Sequence, residues 1–167
     1  MFVTSFLREQ IIARGLESPL GLGRIWRVVP TKTALRKTSD LTLMQTEELV
    51  SALTNVNGTV RDSAQRLLVE TADETAVEML EDIAKNGARD RDRIKALWTL
   101  QGMNLLKKDL LLASLADVHP MVRTNAIRLL EPWINEDKTF EAITKLRSDE
   151  NFYVRRQVAL SASMRYG

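Results

Sequence analysis

From about residue 42 onward, apolar side chains return every three or four positions, the period of an α-helix with one buried face. Leu49, Val50 and Leu53 form a first short stripe, broken at Asn55-Val56-Asn57-Gly58 by an Asn-Gly turn signal. Val60, Ala64, Leu67 and Leu68 begin the next stripe. The same couple of stripes then comes back three times. Val77, Leu80, Ile83 and Ala84 precede Ile94, Leu97 and Trp98; Leu111, Leu112 and Leu115 precede Val122, Ala126, Leu129 and Leu130; Phe140, Ile143 and Leu146 precede Val154, Val158 and Leu160. The pattern predicts four antiparallel helix pairs. Asn57, Asp117 and Asp149 are placed to cap second helices, Asp73 and Asn135 to cap first ones, and His119-Pro120 suits a helix's first turn.

An arginine repeats in phase with the pairs. Arg61, Arg93, Arg123 and Arg155 lie 32, 30 and 32 residues apart, in the phrases Val60-Arg61-Asp62-Ser63-Ala64, Asp92-Arg93-Ile94-Lys95-Ala96, Val122-Arg123-Thr124-Asn125-Ala126 and Val154-Arg155-Arg156-Gln157-Val158. Self-similarity at this interval is the mark of stacked repeats. Residues 1–37 are different. Ser5 to Arg14 reads as one helix, Gly15, Gly21 and Gly23 punctuate the chain, and Arg24-Ile25-Trp26-Arg27-Val28-Val29 alternates as a strand ended by Pro30. A lone strand cannot satisfy its own ladder, so it must pair outside this chain, dock on the helices or stay disordered.

The helix pairs, with Asp or Asn, then Val-Arg, then Ala, resemble HEAT repeats, including those named for phycobilisome lyases. Arg14-Gly15-Leu16-Glu17, Leu22-Gly23-Arg24-Ile25-Trp26-Arg27-Val28, Ala64-Gln65-Arg66-Leu67-Leu68-Val69-Glu70 and Ala96-Leu97-Trp98-Thr99-Leu100 resemble one bacterial family more closely. Its members are large secreted proteins of planctomycetes and their relatives, described as membrane-bound dehydrogenase or haem-binding domain proteins. In them a β-propeller is followed by HEAT repeats and a c-type cytochrome domain. The resemblance implies an all-α, right-handed HEAT-type superhelix over residues 38–167, with residues 1–37 as the closing edge of a propeller plus a linker. It also implies a periplasmic or exported setting. The family's redox activity does not carry over, because the chain has no cysteine, hence no Cys-x-x-Cys-His, and no propeller beyond one strand.

Composition narrows the chemistry. The 167 residues are 44% apolar and 28% charged, a globular balance, and carry a net charge of +2. That sum hides an asymmetry: residues 1–37 hold 7 Lys/Arg against 2 Asp/Glu, residues 38–167 hold 17 against 20. A mildly acidic repeat region disfavours nucleic acid as a partner, although charge can segregate by face. No stretch approaches the roughly 18 apolar residues of a membrane span. Arg8 and Glu9 interrupt the opening apolar run before a signal-peptide core forms.

No metal, cofactor or catalytic constellation is expected. His119 is the sole histidine and no cysteine exists, so a zinc site lacks ligands. Glu47-Glu48, Glu81-Asp82 and Glu136-Asp137 read as solvated helix turns. The arginine ladder reads as structural, each Arg bonding an Asp, Asn or carbonyl of a neighbouring repeat, with Asp117 and Asp149 as partners six residues before Arg123 and Arg155. Trp98 reads as buried, while Trp133 is expected half-exposed. Trp26, Trp133, Arg24 and Arg27 are candidates for an interaction surface. The basic cluster Arg24, Arg27, Lys32, Arg36 and Lys37 reads as a strand's polar side and a solvated linker, with contact to nucleic acid or an anionic surface as the alternative. The last pair is apolar at Phe152, Tyr153, Val154, Val158, Leu160, Met164 and Tyr166, an uncapped end that predicts further repeats or self-association. The expected function is a non-enzymatic protein-interaction scaffold whose second helices carry the contacts. The alternatives are a HEAT-type nucleic-acid binder, similar to alkylated-base glycosylases, and a pigment-lyase-like chaperone.

Overall fold

The computed structural model describes residues 4–15 and 40–165. The strand read at 24–29, the basic cluster, Trp26, Arg24, Arg27 and Tyr166 lie outside the described residues. The chain divides into two units, Met1–Thr38 and Ser39–Gly167. The first is described through α1 (Ser5–Ala13), whose N-terminus is capped by the Thr4 hydroxyl accepting from the Leu7 N–H.

The second unit is all-helical over its described residues. Its helices come in four pairs: α2 (Thr46–Ala52) with α3 (Gly58–Thr71), α4 (Val77–Asn86) with α5 (Asp90–Gly102), α6 (Lys108–Ser114) with α7 (Pro120–Leu129), and α8 (Asp137–Thr144) with α9 (Phe152–Ser163). Second helices pack on one another in series, α3 on α5, α5 on α7 and α7 on α9, while α2 meets α4 and α4 meets α6. The unit is therefore two layers of helices with one core between them. Leu53, Leu68, Leu80, Leu97, Leu100, Leu111, Ile127, Leu130 and Ile143 are wholly enclosed there. Each stripe read from the sequence supplies residues to this core, because a half-apolar helix is stable only when its apolar face is covered.

Two caps lie where expected and three do not. Asn57 caps α3 through Thr59 N–H, and Asp73 caps the turn leading into α4 through Thr75 N–H. The cap of α7 is His119 rather than Asp117, that of α9 is Asn151 rather than Asp149, and α8 starts after Glu136 rather than Asn135. Asp117 and Asp149 instead fold the preceding turn, accepting from the N–H two residues on, His119 and Asn151. No described helix is long and apolar enough to cross a membrane.

Candidate functional site

The four repeating arginines each enter the turn between paired helices and donate to main-chain carbonyls five or six residues back. Arg61 reaches Asn55 and Val56, Arg93 reaches Gly87, Arg123 reaches Asp117 and Val118, and Arg155 reaches Asp149 and Glu150. Two of them also cross between pairs. The Arg93 guanidinium clasps the Asp117 carboxylate at 2.8 and 2.9 Å, and Arg123 clasps Asp149 at 2.9 and 2.8 Å. Each aspartate thus gives its carboxylate to the arginine of the preceding pair and its carbonyl to the arginine of its own. The result is a chain of bidentate, largely buried contacts across two successive junctions.

The first junction departs from this scheme. Gly87 stands where a carboxylate would meet Arg61, and a Cβ there would come within 2.6 Å of the Ile83 carbonyl. The link runs the other way. Arg89 of the second pair donates to Thr54 O of the first, held from behind by Asp92 at 2.7 Å. Asp92, 4% exposed, occupies the position that valine fills at Val60, Val122 and Val154.

Arg123 holds the Asp149 carboxyl below its ordinary value, with help from the Asn151 N–H and against its burial. A lowered carboxyl stabilises the fold above the unfolded value and loses that contribution as pH falls through the folded one. Stability should therefore decline as pH drops below about 3.9, the unperturbed aspartate value. Urea midpoints at pH 7 and pH 3 should differ less for Asp149→Asn than for the wild type.

The outer surface of the second-helix layer carries two recesses separated by Trp98. One, of about 520 Å³, lies over α3, α5 and α7 and is lined by Gln65, Asp90, Arg91, Ile94, Lys95, Trp98 and Met121. The other, of about 370 Å³, lies over α5, α7 and the start of the chain beyond, between Trp98, Arg128, Pro132 and Met164. Trp98 is half-buried, not enclosed, and forms a wall of both. Its indole N–H donates to Asn125 Oδ1 at 2.8 Å, and the Arg128 guanidinium lies 5.9 Å from its ring centre.

Polar rungs fix the groove from beneath at one repeating position. Lys95 donates to Asp62 and Gln65 on α3, Asn125 receives Trp98, and Gln157 donates to Glu131. None of the residues lining the larger recess carries a hydroxyl or thiol nucleophile. His119, at its edge, has Nδ1 3.4 Å from both the Met121 N–H nitrogen and Asp90 Oδ2. The paired acids are engaged on first helices: Glu81 with Lys107 and Lys85, Glu136 with Lys108, Asp137 with Arg165.

Trp133 is half-buried in the turn after α7, packs on the core and is not among the residues lining either recess. Val154 and Val158 of the last pair are buried, whereas Phe152, Tyr153, Leu160 and Met164 are more than half exposed. By the 32-residue register these four match Pro120, Met121, Arg128 and Pro132, of which Met121, Arg128 and Pro132 line the recesses. The counterparts of α7's buried Arg123, Ile127 and Leu130 are Arg155, Ala159 and Ala162, so alanine thins the end of the stack. Tyr153, Leu160 and Met164 thus continue the positions that line the recesses. The chain matches no family model, and no curated protein matches it.

Proposed function

We propose that residues 38–167 are a HEAT-type solenoid that serves as a non-enzymatic docking module, with the groove over its second helices as the contact surface. The observation that carries this reading is the row of Trp98, Met121, Tyr153, Leu160 and Met164, left open to solvent on one face of a layer otherwise well packed. Trp, Tyr, Met and Arg are the residue types that concentrate at protein interfaces. The stacking of second helices in phase with the arginine period supports the solenoid reading. The resemblance to propeller-and-cytochrome proteins adds that the docked partner is a neighbouring domain of an exported, redox-associated assembly.

A photo-crosslinking amino acid at Met164, compared with one at Glu78 on α4, tests the docking surface in the source cell. The groove position is expected to trap a discrete protein adduct that Trp98→Ala abolishes. Equal labelling from both positions would overturn the reading. The nucleic-acid alternative draws support from one observation, the basic character of the second helices described below. It would be favoured by duplex-DNA affinity that falls steeply with salt.

A further inference from the structure

We infer that the groove takes a carboxylate-bearing apolar segment of a partner protein, seated on Arg128 and Arg156; this rests on the docking reading above. Charge is divided between the two helix layers. The second helices α3, α5, α7 and α9 hold nine Lys/Arg against four Asp/Glu. The first helices α2, α4, α6 and α8 hold three against eight. Summed over the unit the two nearly cancel, so the field on the groove side is opposite in sign to the total.

Most of the groove-side cations are already committed. Arg93 and Arg123 clasp the largely buried carboxylates of Asp117 and Asp149, Lys95 holds Asp62, and Arg66 holds Glu70. The acids nearby are engaged as well: Glu131 accepts from Gln157 and Ser161, and Asp90 faces His119. Arg128 and Arg156 are exposed and make no ion pair among the described residues. Each guanidinium instead lies over an aromatic ring, Arg128 5.9 Å from the centre of Trp98 and Arg156 6.0 Å from that of Tyr153.

A guanidinium held on a ring is ordered before a ligand arrives and keeps its N–H fork outward for two parallel bonds to a carboxylate. The register sets apolar contacts beside each fork. Arg128 stands between Trp98 and Leu160 in one row across α5, α7 and α9, and Tyr153 continues the row of Met121. A segment with acidic and large apolar side chains fits both features. Phosphates of a duplex would call for many free cations along the layer, and the four repeating arginines are tied into the turns.

Panning a displayed library of random 12-residue peptides on the full chain reads the preference directly. Selected sequences are expected to be enriched in Asp or Glu together with Leu, Phe or Trp. Synthetic winners, followed by fluorescence anisotropy, should bind about tenfold or more weakly to the Arg128→Gln/Arg156→Gln variant. That variant should melt as the wild type does, since both side chains are exposed. Replacing the acids of the winning peptide by lysine should abolish binding. Winners without acidic residues, or winners bound equally by the double variant, would overturn the inference while leaving the docking surface intact. Winners displaced by a 20-base-pair DNA duplex would overturn it in favour of nucleic acid. If Trp98→Ala weakens none of them, the docking surface falls too.

Discussion

Replacing Asp117 by alanine is expected to cost about 3–5 kcal/mol of stability, the range for removing one partner of a buried ion pair. The carboxylate accepts from Arg93 Nε and a terminal nitrogen and also from the His119 N–H. Arg93 is 8% exposed and would keep only its bond to the Gly87 carbonyl. A charge stranded at a helix-pair junction also weakens the neighbours, since stacked repeats draw much of their stability from the interfaces they share. Arg155→Ala is the control. It removes an arginine from the turn position that Arg93 holds in its own pair, but Arg155 is exposed and bonds carbonyls alone. Its cost should stay near 1 kcal/mol, as for an ordinary hydrogen bond. Urea unfolding at pH 7 separates the two; equal costs would mean that the carboxylate clasp adds nothing beyond the turn.

That contrast also marks what the sequence could and could not reveal. The period was legible because every turn between paired helices needs the same donor for its carbonyls, so Arg61, Arg93, Arg123 and Arg155 recur in step with the stripes. The carboxylate pairing was not. Asp117 and Asp149 sit six residues before an arginine, yet their carboxylates reach back 24 and 26 residues to the previous pair. Such a contact follows from stacking, not from local spacing. Gly87 and Arg89 reverse the link at the first junction for reasons visible only once the pairs are side by side. Trp98 reads as core because it follows Leu97, but one helical step turns it about 100° from that residue and onto the groove wall. Charge misled by averaging: a single sum over residues 38–167 mixes two layers of opposite sign. The candidates Trp26, Arg24 and Arg27 lie outside the described residues; the described lining of the groove comes from α3, α5, α7 and the turns that follow α7 and α9.

Two leucines on second helices should behave in opposite ways. Leu97 is wholly enclosed, and Leu97→Ala removes a methine and two methyl carbons from the layer interface. The expected cost is about 2–5 kcal/mol, set by how far the surrounding helices can close on the cavity. Leu160 is 52% exposed, and Leu160→Ala should change stability by no more than about 0.5 kcal/mol. The second substitution nevertheless removes the apolar neighbour of Arg128 in the groove row, so it should weaken a groove-bound peptide while leaving the urea midpoint in place. If Leu160→Ala instead destabilised the unit as Leu97→Ala does, the last row would be core rather than surface. The groove would then end at α7, and Arg128 would keep Trp98 as its one apolar neighbour in that row. A selective loss of binding at unchanged stability is the result that a docking surface requires, because an exposed leucine that does not hold the fold together is retained at no cost to it and can act on a partner.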